Sequence, residues 1–168
     1  MKDIEVTFSA DRFIVSKTDL KGMITYCNDV FIEISGYEES ELLGKPHNIL
    51  RHPDMPKSIF KLLWDSIKSG KEIFAFVKNL TKDGSYYWVL AHITSEQDER
   101  QNNISYNSTR RCCTKKQLNE IIPLYNKLLE IEKSASTTQL GIQQSSTFLK
   151  NHLDQQNLTY DEFIFRFC

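Results

Sequence analysis

The run Gly44-Lys-Pro-His-Asn-Ile-Leu-Arg-His-Pro-Asp-Met-Pro56 concentrates side chains that can do chemistry. His47 and His52 can carry a proton or ligate a metal, Arg51 is a permanent cation with a fixed fork of donors, and Asp54 can pair with a cation or cap a helix. Pro46, Pro53 and Pro56 stiffen the chain around them, so this polar loop is held in shape rather than left to wander. Phe60 and Trp64 follow at helical spacing, where aromatic faces can pack in a core or flank a planar ligand. Asn79 lies in a later β-rich run and offers both a donor and an acceptor. The proline-bracketed loop is expected to form one wall of a ligand pocket, while Phe60, Trp64 and Asn79 read equally as core and sheet residues from their types alone.

The elements that must position them follow from periodicity. Phe13 to Asp19 and Met23 to Asn28 are β-rich and joined by Leu20-Lys-Gly22, a hairpin pattern. Asn28-Asp29 can cap a short helix carrying Val30, Phe31 and Ile34, ended by Gly36, and Glu38 to Leu43 gives one more helical turn. Ile59, Phe60, Leu63, Trp64 and Ile67 recur as in a helix up to Gly70. The period then changes: Glu72 to Thr81 and Tyr86 to Thr94 flank an Asp83-Gly84 turn, Glu96 to Asn103 reads as a polar loop, and Ile104 to Arg110 returns as a strand. The expectation is an α+β domain, a five-stranded antiparallel sheet with short helices on one face.

After that domain the pattern is helical. Thr114-Lys-Lys-Gln117 fits a capping box, Leu118 to Ile131 carries two apolar stripes around Pro123, and a second helix is expected from Leu140 to Leu153. Thr159 with Glu162 caps a last short helix. The expected organisation is an N-terminal segment over 1–12, a sensor domain over 13–113 and a helical C-terminal extension over 114–168. The extension has apolar surface to bury, on the domain, in a homodimer or on another protein.

Composition narrows the function classes. The 168 residues are 40% hydrophobic and 26% charged, which suits a globular domain, and the net charge of -1 gives no electrostatic draw to nucleic acid or to an anionic membrane. The basic stretch Arg110, Arg111, Lys115, Lys116 is read as a solvated face. Cys27, Cys112, Cys113 and Cys168 have no metal-site spacing, and without a signal peptide at the N-terminus reduced thiols in the cytoplasm are expected. No apolar stretch approaches the roughly 20 residues of a membrane span, so direct membrane insertion is not expected. No nucleophile, base and orienting group form a recognisable motif, and no glycine-rich phosphate loop precedes a helix, so the chain is read as non-catalytic.

The order of Asp19-Leu-Lys-Gly-Met-Ile-Thr-Tyr-Cys-Asn-Asp29, Ile34-Ser-Gly-Tyr37, Glu41-Leu-Leu-Gly44 and Lys82-Asp-Gly-Ser-Tyr-Tyr-Trp88 resembles a PAS sensory domain. Pro46-His-Asn, Arg51-His-Pro-Asp-Met-Pro56, Val77-Lys-Asn79 and Tyr87-Trp-Val89 are similar to the PAS domain of bacterial aerotaxis receptors, a likeness running from about Thr18 to Tyr125. That resemblance implies a redox sensor with non-covalently bound FAD, with Asn28, Arg51, His52, Asp54, Phe60, Trp64 and Asn79 holding the flavin or shaping its pocket. Arg51 is the expected contact, with His52 and Asp54 holding the wall in place. Ile73 stands where aerotaxis domains usually carry tryptophan. The run His47-Asn-Ile-Leu50 lacks the cysteine of photochemical LOV domains, so a covalent photoadduct is not expected. His47, His52 and His92 keep haem as the alternative cofactor, and a cofactor-free interaction module is a third reading.

The resemblance further implies a signalling partner. The chain is similar to the stand-alone PAS subunit of bipartite energy-taxis receptors of the CetB type, whose membrane-bound partner carries the signalling module. A chemoreceptor-type partner, a cytoplasmic location with membrane association through that partner, and a homodimer through the PAS domain or the tail are the corresponding expectations.

Overall fold

A computed structural model describes residues 1–167; Cys168 and its thiol lie outside the described residues. The alternating segments become β1 (Ile14–Thr18), β2 (Ile24–Cys27), β3 (Ile73–Leu80), β4 (Tyr86–Gln97) and β5 (Asn103–Cys112). Among the described residues they form one five-stranded antiparallel sheet in the order β2-β1-β5-β4-β3. The last strand therefore enters between the two hairpins and joins them. Ile14 and Ala91 are the two cross-strand partners of Arg110, and Ser16 faces Ser108.

The helices are α1 (Asp29–Ser35), α2 (Glu39–Leu42), α3 (Lys57–Lys68), α4 (Lys115–Ser134), α5 (Thr138–Asp154) and α6 (Tyr160–Phe165), with a 3-10 turn at His47–Leu50. Capping chemistry sets their limits as the sequence suggests. Asn28 caps α1 and Gly36, at φ 72°, ends it in the left-handed region where a side chain would be strained. Thr114 with Gln117 and Thr159 with Glu162 form reciprocal capping boxes at α4 and α6. One expected boundary moves: β4 runs on to Gln97, shrinking the polar loop to a tight turn. Asp98 explains the shortening, because its Oδ1 accepts from the backbone N–H groups of Arg100 at 2.9 Å and Asn102 at 2.8 Å.

The chain divides into two compact units. The first comprises Met1–His52 with Ser66–Cys113, and so holds the whole sheet with α1 and α2. Its core includes Ile14, Ile24, Phe31, Leu42, Ala75, Phe76, Tyr87 and Val89, all 1% exposed or less. The N-terminal residues belong to it: Lys2 N–H donates to Gly84 O, and Glu5 pairs in parallel with Tyr86.

The second unit comprises Pro53–Asp65 with Thr114 onward, taking in most of α3 together with α4, α5 and α6. Ile121, Leu128, Leu129, Leu149, Leu153, Phe163 and Ile164 are buried there. The first turn of α3 is capped from α4: the Glu132 carboxylate accepts from the backbone N–H groups of Lys57 and Ser58, both at 2.9 Å, and from Ser145 Oγ at 3.0 Å. A carboxylate on a helix N-terminus meets both the free donors and the positive end of the dipole. No described helix is long and apolar enough to cross a membrane.

Candidate ligand-binding site

Strand register decides which side chains share a face, since directly paired residues of an antiparallel sheet point the same way. Asn79 pairs with Tyr87, Val77 with Val89, Ala75 with Ala91, and Ala91 in turn with Arg110. Arg110 pairs with Ile14 and Ser108 with Ser16. One face of the sheet therefore carries Asn79, Tyr87, Arg110, Ser108 and Ser16 around a floor of small and branched apolar residues. Asn79, Tyr87, Arg110 and Ser16 are all buried.

Arg110 is the centre of this polar group and is only 2% exposed. Its Nε donates to Ser108 Oγ at 2.9 Å, and its Nη2 donates to Ser16 Oγ and to His47 Nε2, the latter at 3.1 Å. The guanidinium carbon lies 4.9 Å from the centroid of the Phe31 ring, a cation over an aromatic face. Phe31 also stacks with the His47 imidazole at 6.0 Å between centroids. Ser16 Oγ stands 3.2 Å from the same His47 nitrogen.

The protonation states follow from these contacts. His47 Nε2 accepts from a guanidinium, so the imidazole is neutral with its proton on Nδ1. Burial first, and the Arg110 charge second, push its pKa down to about 3. Burial lowers Arg110 to about 10, which leaves it charged at neutral pH. Burial pushes Tyr87 up to about 12, so its hydroxyl keeps its proton. Two polar atoms in this group have no hydrogen-bond partner, Arg110 Nη1 and the Tyr87 hydroxyl; Asn79 lies beside that hydroxyl without completing a bond to it. Buried donors are almost always satisfied in folded proteins, so these two are the donors on this face that are free to take an acceptor.

The residues singled out from sequence are distributed over both units. Asn28 is occupied structurally: its Oδ1 accepts from Val15 N–H at 3.0 Å and Phe31 N–H at 3.1 Å, and its Nδ2 donates to Phe13 O at 2.8 Å. It fastens α1, and with it Phe31, to β1. Arg51 pairs with Asn79 in an isolated antiparallel bridge, which brings the proline-bracketed loop to β3. His52 is 5% exposed, with its ring edge-on to Tyr86 at 5.9 Å. Asp54, Phe60 and Trp64 belong to the second unit. There Phe60 and Trp64 are half-buried one turn apart on α3, beside the fully packed stripe of Ile59 and Leu63. His92 is partly exposed, bonded to Glu72 at 2.7 Å and stacked on Phe74 at 4.1 Å.

Arg110 is not part of a solvated basic face; Arg111 beside it is exposed, and the two differ because successive residues of a strand point to opposite sides. Tyr87 and Ser16 also escaped notice as site residues. The parity of Tyr106, Ser108 and Arg110 on β5 was the available signal.

Comparison with known proteins agrees with the fold. The sequence profile of the PAS fold matches residues 24–110. The aerotaxis receptor of Escherichia coli (strain K12) is 42% identical over 119 residues, covering 70% of this chain and 23% of that protein. The biofilm dispersion protein BdlA of Pseudomonas aeruginosa is 30% identical over 81 residues, covering 48% of this chain and 19% of that protein. The chain thus spans less than a quarter of the length of either relative. Among solved structures, a light-oxygen-voltage domain studied with a flavin analogue superposes with a TM-score of 0.57 at 24% identity, covering 70% of this chain and 87% of that one. A PAS domain from Colwellia psychrerythraea gives 0.56 at 22% identity, over 61% of this chain and 87% of that one. With strand order, sequence profile and solved folds in agreement, this chain belongs to the PAS fold family.

Proposed function

We propose that this chain is a non-catalytic, cytoplasmic PAS redox sensor that binds FAD non-covalently and signals to a chemotaxis-type partner through a cofactor-dependent change of conformation. The observation that carries the reading is the pair of orphaned buried donors, Arg110 Nη1 and the Tyr87 hydroxyl, on the sheet face of a chain 42% identical to an aerotaxis receptor. The donor set suits the carbonyl-bearing edge of a flavin ring, which accepts hydrogen bonds. Bound FAD supplies reversible electron transfer with a change in ring charge and protonation.

The chain's own residues supply the response. Asn79 can present either its amide N–H or its carbonyl by turning over, and the Tyr87 hydroxyl can donate or accept, so this pair can follow a change in the hydrogen-bond sense of a neighbour. Asn79 is joined to Arg51 by backbone pairing, so a shift of β3 at this point is handed to the Gly44–Pro56 loop. Arg51 and His52 are proposed to hold the loop side of the site, and Asn28 to hold α1. Asp54, Phe60 and Trp64 are assigned to the cofactor by resemblance alone. The haem alternative is less well supported, because His47 Nε2 is already engaged by Arg110 and His92 by Glu72.

An absorption spectrum of freshly purified protein, before and after incubation with FAD, tests the reading. A two-band flavin spectrum, with FAD released on denaturation, is expected. A Soret band, or protein that stays colourless with FAD added, overturns it.

A further inference from the structure

Cys112 and Cys113 are neighbours in the chain, both half-buried, and neither is in a disulfide. Cys112 is the last residue of β5 and pairs with Val89 of β4, while Cys113 ends the sheet-bearing unit just before the Thr114 cap of α4. The extended backbone of Cys112 directs its thiol away from that of the residue that follows, so the folded strand keeps the two sulfurs apart. Cys27 is buried on β2, which is two strands across the sheet from β5, and its register through Ser16 to Ser108 is four residues from Cys112. Strand geometry puts that separation at roughly 16 Å, well beyond the roughly 7 Å that a disulfide can span between Cα atoms. Among the described residues, Cys112 and Cys113 are thus the two thiols that can reach each other. Their surroundings in the chain are basic: Arg111, Lys115 and Lys116 are exposed, and no acidic residue occurs between Arg110 and Asn119. Such a local excess of cations draws an anionic reagent.

We propose that Cys112 and Cys113 are a thiol-disulfide switch that closes β5, oxidised by an anionic low-molecular-weight disulfide of the glutathione class. The proposal does not depend on a bound cofactor. One cysteine thiolate attacks a sulfur of the reagent, forming a mixed disulfide and expelling one reagent thiol. The neighbouring thiolate then attacks the protein sulfur of that mixed disulfide, closing the Cys112–Cys113 bond and expelling the second. The protein gives up two electrons and two protons, and the reagent leaves as two thiols. Adjacent Cα atoms are fixed about 3.8 Å apart, short of the roughly 4.4–6.8 Å of ordinary disulfides, so the bridge is strained and readily reduced, which suits a reversible bond rather than a structural one. Closing it requires the two Cβ atoms to come within about 3.8 Å, which the extended conformation of Cys112 does not allow. Oxidation therefore draws Cys112 out of its pairing with Val89 and opens the end of the β4–β5 ladder. Arg110, two residues earlier and tied by hydrogen bonds to Ser108, Ser16 and His47, confines the opening to that end.

The test incubates the full, reduced chain with oxidised glutathione, alkylates the remaining thiols and digests with trypsin. Cleavage after Arg111 and Lys115 isolates the peptide Cys112-Cys113-Thr114-Lys115. It is expected to be lighter than its dithiol form by two hydrogen atoms, to carry no glutathione, and to regain both thiols with dithiothreitol. Cys112→Ser and Cys113→Ser proteins should each stop at a mixed disulfide that retains the glutathione. Amide hydrogen exchange of the oxidised wild type should quicken several-fold in residues 86–91 and 108–113 and stay unchanged in β1 and β2. A wild-type peptide that keeps both thiols, holds a stable glutathione adduct, or is joined to Cys27 or Cys168 overturns the switch. A bridge that forms with unchanged exchange at the end of β5 overturns its coupling to the strand. The wild-type measurements decide the matter even where a serine variant does not fold.

Discussion

His47 should make this protein lose stability in mild acid, in an amount its surroundings determine. The imidazole is enclosed by Phe31, Ser16 and the Arg110 guanidinium, and its pKa lies near 3 against 6.5 for an unconstrained histidine. The unfolded chain therefore binds a proton that the folded chain refuses. For a base whose folded pKa is depressed, the contribution is fully present above the unfolded value and is lost as pH falls through the window down to the folded value. Between about pH 7.5 and about pH 5.0 one such site removes about 2 kcal/mol of folding free energy. That is a substantial part of the roughly 5–15 kcal/mol that holds a domain together. Urea unfolding of wild type and His47→Gln at the two pH values isolates the effect, because every other titratable group is common to the two proteins. Glutamine offers an acceptor to Arg110 in place of Nε2 but no titration. The difference in stability between the two proteins should change by about 2 kcal/mol across the range, in favour of the variant at low pH. Parallel pH dependences would refute a neutral, guanidinium-bonded His47.

Three further expectations concern the frame. Glu132→Ala leaves the first-turn donors of α3 without their carboxylate, and urea unfolding should show a loss of about 1–2 kcal/mol, with an unchanged midpoint counting against the cap. Gly141→Ala should destabilise by about 1–3 kcal/mol, because a Cβ there would stand 2.8 Å from Glu132 O where α5 crosses α4; a neutral or stabilising result would mean that this crossing relaxes freely. Asn28→Ala removes both the α1 cap and its tie to β1, and thermal unfolding should report a loss of about 1–2 kcal/mol, with an unchanged midpoint counting against the cap.

Much of the fold was legible because local chemistry and tertiary structure agree. Asn28, Thr114 and Thr159 announce helix starts in sequence and cap them in the structure, and the Asp83-Gly84 turn separates β3 from β4 as its residue types require. The end of β4 was misjudged because a single side chain, Asp98, does the work expected of a longer loop. The centre of the site was read least well. A charge run suggests solvent, but Arg110 is placed by the parity of β5, and parity becomes decisive only once it is known which face of the strand is packed. Glu132 was equally hidden, since nothing local reveals that a glutamate late in one helix caps another helix 74 positions earlier in the chain.

That cap separates the order of the chain from the order of its cooperativity. α3 lies between the two hairpins in sequence, yet its opening turn is held by a residue far downstream in α4. A fragment cut at Cys113 would retain every strand and still release the N–H groups that begin the helix bearing Phe60 and Trp64. Swapping the sheet-bearing segment alone into another protein would therefore transplant the aromatic helix without its anchor, and the boundary that respects the physics is drawn around α3, α4 and α5 together.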